Sequence, residues 1–410
     1  MARIVRLEGG VDHLVRARGV FPGSYRYGPE EVRVIVRDGL IRKVMGPQDQ
    51  HAPVVQPARE VDLRPLFLAP ALVDSHVHLG LRPKASMKEE LFKCFQWGIA
   101  ALRDAGDRQG RVLDALGDLE SSPVEVQASG WAVRAPGSYG GFLGRSVKDM
   151  KEFLGVLEEI SLAGGLFVKI LLTGPVDFSS AEVAGGVGFD ERDLRFMVIE
   201  ARQRGLGVMV HANGDRGVQR ALKAGVDTLE HGYLLGSETL RRLWDSPVTW
   251  VPTLSPVFKL LEAQSTGSTR DPEALKRAKD IYRLQEENIA MAHQRGLHIA
   301  VGTDAGSPGI EPGQSVYMEI RLLSEAGLGP EGALEAATDR AARILRSTSR
   351  APLGGIRPGH RAHFLGVRNK RGALEPEDVV AVVVGQRPRT GQSLSNVGAC
   401  EIQLTTGRSS

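Results

Sequence analysis

Two histidines separated by one residue close the run FLAPALVDSHVHLG, and they are the first residues in this sequence whose types and spacing suit chemistry. Successive side chains of a strand point to opposite faces, so His76 and His78 would turn their imidazoles the same way, as a chelating pair. Alone the pair is a weak signal, because histidines at a strand end also serve as surface polar groups. Four further residues join it: His211 closes LGVMV, His231 closes VDTLE, Asp304 closes LHIAVGT, and Lys169 sits within LFVKILL. Only ten histidines occur in the chain, and four of them fall at inferred strand ends, which favours a shared metal site over four unrelated core polar groups.

Lys169 is flanked by Phe167, Val168, Ile170, Leu171 and Leu172, so a strand there buries its ammonium group, which is costly unless the charge is paired or removed. Burial lowers a lysine pKa, and a neutral amine can combine with carbon dioxide to give a carbamate, an anionic, carboxylate-like metal bridge. The same lysine could snorkel to the rim of its sheet or pair with a nearby acid. Taken without the other five residues, that second reading would be preferred.

These side chains need elements that bring them together. Between about Leu66 and Leu345 one grammar recurs: an amphipathic helix, a glycine, then a short apolar run that ends in a polar residue. Gly98, Gly165, Gly205, Gly225 and Gly296 each fit a left-handed helix C-terminus that turns the chain into a strand. Helices alternating with buried strands predict parallel strands joined by right-handed crossovers. Eight candidate strands, near 69–78, 98–104, 124–131, 166–173, 206–212, 226–231, 248–253 and 298–304, favour an α/β fold of the (β/α)8 TIM-like barrel type. The glycine-rich phosphate fingerprint of a dinucleotide fold does not follow the first strand. The candidate residues would then gather at the C-terminal mouth, where barrel enzymes carry their active sites.

The flanks read differently. EVRVIVRDGLIRKVM at 31–45 predicts two strands joined at an Asp-Gly hairpin turn, and 360–384 contains short runs such as AHFLGV and VVAVVV. Together they predict a small β-sandwich built from both chain ends, residues 1–65 and 350–405, around a barrel at 66–349. A length of 410 residues suits one large domain with such an appendage.

Composition excludes several classes of function. A net charge of +3, spread without long basic or acidic runs, gives nucleic acid no surface to bind. Charges break every apolar stretch before spanning length, and MARIVRLEGGVDHLV lacks the core of a signal peptide, so no membrane partner and a cytoplasmic location are expected. Cys94 and Cys400 match no metal or redox spacing. The tail from Gln386 onward is polar and rich in Gly, Ser and Thr, as fraying ends are. The expected partner is a small-molecule substrate, with room for a homo-oligomer.

At this level of detail the chain resembles the amidohydrolase superfamily, in its two-metal branch with a carboxylated lysine, and the imidazolonepropionases and Xaa-Pro dipeptidases within it. The resemblance rests on LAPALVDSHVHLG, IAALRDAG, FVKI, VHANG, LEHGY, VPTL and VGTDAG, continues through GPEGALEAATDRAARIL and LGGIRPGHRAHFLGV, and covers nearly the whole chain. It implies two divalent metal ions, zinc first, with His76, His78 and Asp304 on one and His211 and His231 on the other. Lys169, carboxylated by carbon dioxide, would bridge them. Metals about 3.5–4 Å apart share a hydroxide and polarise a carbonyl or phosphoryl oxygen. Asp304 is then both ligand and catalytic base, passing the proton of that hydroxide to the leaving group.

Many such enzymes carry a histidine-containing glycine motif after the third strand that contacts substrate. Here the region reads SGWAVRAPGSYGGFLGR, without a histidine, and Ser138, Tyr139 or Arg145 is left for that contact. Tyr233, after His231 and Gly232, is placed to donate to a developing oxyanion. AGSPGIEPGQSVYMEI, after the eighth strand, is a candidate substrate lid. The leading function is hydrolysis of an amide, a dipeptide-like C–N bond or a cyclic amide, with lactones and phosphoesters as lesser targets. A one-metal heterocycle deaminase is the alternative, although Asp215 in HANGD lies too far along to act as its proton shuttle. A non-enzymatic assembly protein ranks last, because all six ligands are present.

Overall fold

Leu72–Val77, Ile99–Asp104, Phe167–Leu171 and Gly207–Ala212 are buried at every position, as continuous apolar runs between helical layers must be. The computed structural model describes residues 2–21, 31–46, 49, 59–82, 87–263, 271–346, 350–368 and 373–386. The polar tail after 386, with Cys400, lies outside the described residues. Leu72–Val77 pairs in parallel with Ile99–Asp104, which pairs with Glu125–Ala128. A second parallel run leads from Phe167–Leu171 through Gly207–Ala212 and Thr228–His231 to Thr249–Val251. Leu166 N donates to Ala128 O at 3.3 Å where the two runs meet.

The eighth expected strand has no regular ladder, but its main chain is bonded on both sides. Trp250 N donates to His298 O and Ala300 N to Trp250 O, each at 2.9 Å, while Ser75 N donates to Val301 O at 3.0 Å. Gly302 lies where a side chain would collide with His76 and Val251, so only glycine lets this segment lie so close. Asp74 adds a side-chain tie, accepting from Thr303 Oγ1 at 2.6 Å and Thr303 N at 3.0 Å.

Helices cover these strands by amphipathic spacing. Glu191–Gln203 is typical: Asp190 caps it by accepting from Asp193 N, and Leu194, Met197, Val198 and Ala201 form its buried stripe. Each such large side chain contributes roughly 1.5–3 kcal/mol through burial. Gly98, Gly205, Gly225 and Gly296 stop their helices at positive φ as expected, but in the remaining case the left-handed residue is Gly164, not Gly165.

Two expected strands differ in extent. The run at 69–78 is divided: Phe67–Pro70 pairs antiparallel with His363–Val367, and only Leu72–Val77 joins the parallel strands. Pro70 has no N–H to continue a ladder, and the chain changes sheet there. The run at 124–131 stops at Ala128; after Gly130, at φ 74°, a separate strand Ala132–Arg134 takes the pairing with Lys169–Leu171.

The flanks form two further sheets. Val32–Arg37 and Leu40–Met45 make the expected hairpin, with Asp38 and Gly39 at φ 54° and 74°, the geometry of a type I′ turn. His13–Ala17 and Arg59–Asp62 complete that sheet. The other sheet unites Arg3–Leu7 with Val379–Gly385, His363–Val367, Phe67–Pro70 and Gly19–Val20. Val34, Ile41 and Leu68 share one buried cluster with Phe364 and Val383, so residues from both ends of the chain pack on each other. No helix among the described residues is long and apolar enough to cross a membrane.

Candidate metal centre

His76 and His78 project from the end of Leu72–Val77 into one buried site, joined by Asp304 from the eighth segment. His76 Nε2 and His78 Nε2 lie 3.5 and 3.3 Å from Asp304 Oδ1. One ligand atom from each of the three residues falls within 4.8 Å of the others. Their remaining nitrogens are committed outward: His76 Nδ1 donates to Glu230 Oε2 at 2.6 Å, and His78 Nδ1 to Gly106 O at 2.8 Å. This fixes the tautomers and leaves Nε2 of each ring for a cation.

His211 and His231 face each other across neighbouring strands, with ring centroids 4.4 Å apart. Thr253 Oγ1 donates to Pro252 O, so His231 Nδ1 donates to Thr253 Oγ1 at 2.6 Å and its Nε2 is left for a ligand. His211 is turned the other way, its Nε2 donating to Gly174 O at 3.2 Å, which leaves Nδ1. Between the two groups stands Lys169, 1 % exposed, with Nζ 3.4 Å from His76 Nε2. The structure thus brings all six expected ligands into one site.

Electrostatics suit a cation. Burial first, then the Lys169 charge, pushes His76 well below its ordinary value and His211 down to about 4; burial and the neighbouring His211 push His231 well down. These are neutral imidazoles, the form that ligates metal. Burial also lowers Lys169, to about 8. Burial alone would raise Asp304, yet His78 and His76 hold it well below the usual carboxylate range, and the Asp304 contact outweighs burial to raise His78. Three neutral imidazoles, a fourth histidine held by a carboxylate, and a buried amine fit divalent metal chemistry.

Sequence reasoning missed Glu230 and Thr253. In a regular strand Glu230 and His231 would face opposite ways, so choosing His231 dismissed its neighbour. His231 instead has φ 65°, and Thr253 and Asp304, also at strand ends, have φ 51° and 55°. Left-handed geometry at a non-glycine residue costs roughly 1–3 kcal/mol and re-aims a side chain. Glu230, fully buried, thereby supports His76 while accepting from Thr228 Oγ1 at 2.6 Å, and His231 still reaches the centre. A glutamate directly before His231, at the end of the strand segment VDTLE, was the available signal.

The site opens into a cavity of about 1020 Å³ that all six ligands line. Of the expected substrate contacts, Tyr139 lies there, its ring centroid 5.6 Å from that of His211. Tyr233 also lines it, but its hydroxyl donates to Thr253 O at 3.3 Å. Arg145 does not reach the cavity. It lies in the strand Gly144–Ser146, stacks 3.5 Å from the Trp131 ring centroid and pairs with Glu159 at 2.6 Å, held by the helix Met150–Leu162. Ser138 turns aside too, donating to Ala135 O at 2.8 Å. Ser307, Pro308 and Gly309, from the expected lid, line the cavity.

Residues 133–386 match the Amidohydrolase family. Ochratoxinase of Aspergillus niger is 24% identical over 366 residues, covering 78% of this chain and 73% of that protein. The crystal structure of A. niger ochratoxinase superposes with a TM-score of 0.76 at 20% identity, covering 91% of this chain and 94% of that one. A Xaa-Pro dipeptidase with methionine bound in its active site superposes with a TM-score of 0.72 at 21% identity, covering 90% and 99%.

Proposed function

This chain belongs to the amidohydrolase family, and from that premise we propose that it is a metal-dependent hydrolase of amide C–N bonds. The observation that carries the reading is the buried convergence of His76, His78 and Asp304 within 4.8 Å, with Lys169, His211 and His231 beside them. His76, His78 and Asp304 would hold one divalent ion, and His211 and His231 the other, zinc being the first choice for such donors. Bound there, the ions would supply water acidified toward neutrality and a polarised carbonyl oxygen.

Lys169 completes the set once carboxylated. Its neutral Nζ adds to the carbon of carbon dioxide, one proton leaves, and the resulting carbamate carries the negative charge that two cations require. Burial of Lys169 and its lowered pKa support that step, since a permanent ammonium would repel both ions. Asp304 accepts a proton from the attacking water as its oxygen bonds to the carbonyl carbon. It returns that proton to the nitrogen as the C–N bond breaks, giving an acid and an amine. The left-handed φ of 55° at Asp304 aims its carboxylate at both histidines of the first half.

The scaffold we propose is a (β/α)8 barrel of about residues 66–349, beside a β-sandwich made from 1–65 and 350–405. The main-chain bonds of 298–304 to the strands on either side support closure, and the shared cluster of Val34, Ile41, Phe364 and Val383 supports the sandwich.

Elemental analysis of purified protein should find close to two divalent ions per chain. Chelation should abolish hydrolysis of acyl amides, and restoring the metal should return it. A metal-free protein with full activity would sink the mechanism. Ammonia release from an amino-heterocycle, with every acyl amide inert, would replace amide hydrolysis by deamination.

A further inference from the structure

Beyond the metal ligands, the cavity wall is apolar. Tyr139 and Phe142 stack edge to face at 5.8 Å on one side, and Phe178 stands nearby. Helix Leu254–Ala263 presents Val257 and Leu260 from the other. Phe142 is 53% exposed, and an aromatic ring left that open at the mouth of a pocket invites an apolar ligand.

Charged side chains are few among the residues that line this wall. Among the described residues that line the cavity there is no arginine, and the lysines are Lys169, at the metal centre, and Lys259. Lys259 is held by Glu262 at 2.6 Å, a carboxylate that itself lines the mouth. Arg145, one of the candidate substrate contacts in the sequence, is stacked on Trp131 and paired with Glu159. Arg82, next in sequence to Leu81 of the lining, is paired with Glu311 at 2.6 Å. A substrate whose carboxylate enters this cavity would lose its hydration and meet phenyl, leucyl and valyl side chains, which is unfavourable by the ordinary cost of burying an unpaired ion.

We propose that the Tyr139–Phe142 and Val257–Leu260 walls select amides that are uncharged away from the scissile bond and carry a bulky aryl or branched-alkyl group, and that they discriminate against substrates with a free carboxylate, such as dipeptides. This rests on the amide-hydrolysis reading and adds the substrate class to it. The metal centre takes the carbonyl, and the wall takes the apolar remainder of the molecule. Selection works through desolvation: the apolar group gains by leaving water, whereas a carboxylate forfeits solvation that no guanidinium among the described lining residues replaces.

Three substrates that share one kind of scissile bond test this with the metal-loaded full chain: phenylacetanilide, 4-(phenylacetamido)benzoate and acetanilide. The first should exceed the second in kcat/KM by about tenfold or more, the only difference being one carboxylate. It should also exceed acetanilide by about tenfold or more, chiefly through a lower KM. Leu260→Arg, at a half-buried site on the helix wall, should shrink the first ratio by supplying the missing cation. Phe142→Ser, at an exposed site that the fold tolerates, should shrink the second. A benzoate turned over as well as its neutral partner, or ratios that neither variant moves, would overturn the proposal while leaving amide hydrolysis standing. If metal-loaded protein turns over none of the three, nor dipeptides ending in proline or a basic residue, amide hydrolysis itself falls and this selectivity with it.

Discussion

His76 and His78 lie on one strand and are anchored by acceptors distant in sequence, Glu230 and Gly106, with the Asp304 carboxylate within 3.5 Å of each ring. His211 and His231 lie on adjacent strands, are anchored by the neutral oxygens of Gly174 and Thr253, and face each other at 4.4 Å. The first half therefore carries an anion of its own, with an anionic support behind one ligand. The second half has neutral ligands on neutral supports, and on the proposed reading its anion must be made from Lys169. The contrast teaches that the two ions should not be equivalent: the first is held by charge already folded into the site, the second by a covalent modification.

Lys169→Arg should break the contrast hardest, because a guanidinium keeps its charge and cannot form a carbamate. Activity should fall by more than the roughly 100-fold that bounds the loss of an outer hydrogen-bond partner, and metal content should drop from two ions toward one. Full turnover with two ions bound would show that Lys169 does not bridge. Glu230→Gln removes the charge behind His76 but keeps an acceptor. Affinity for the first ion should fall about tenfold to 100-fold with little change at the second, read by competition with a chelating dye. Equal weakening of both ions would mean that the halves are one cooperative unit. Thr253→Val deletes a neutral acceptor behind His231 and should loosen only the second ion, by less than about tenfold in the same titration.

A separate effect, on stability and not on metal binding, belongs to a histidine outside both halves. Burial, then the Arg361 charge, pushes His363 down to about 3 from an ordinary 6.5, so it stays neutral in the folded chain while the unfolded chain protonates it below 6.5. Its contribution is present in full above pH 6.5 and is lost as the pH falls toward 3. The slope from this one group is about 1.4 kcal/mol per pH unit. His363→Phe should flatten denaturant-measured stability between pH 6 and about 4 by that amount while leaving metal content unchanged. An unaltered slope would show that His363 is protonated without unfolding.

The donors were legible because strand ends are legible. A largely apolar run that ends in a polar side chain marks a buried parallel strand; His211 follows that rule cleanly, His76, His78, His231 and Asp304 follow mixed runs, and Lys169 announced itself by interrupting one. Substrate contacts were less legible. Tyr139 and Arg145 stand six residues apart in one glycine-rich segment and looked alike, yet Tyr139 packs against His211 and Arg145 against Trp131 and Glu159. Which way a loop side chain turns depends on neighbours brought from elsewhere, and those neighbours have no period in the sequence.

Side-chain alternation and apolar runs, which are local, are enough to single out the candidate ligands, the hairpin at Asp38-Gly39 and the alternating helix–strand order. Tertiary structure alone decided that Glu230 supports His76 across 154 residues, that left-handed backbone at His231 lets two successive side chains serve one centre, and that the described pocket wall is largely apolar, with Arg145 turned away from it onto Trp131 and Glu159. Those features depend on the distances between strands and on which side chains are desolvated together, and both come into being only when the chain closes on itself.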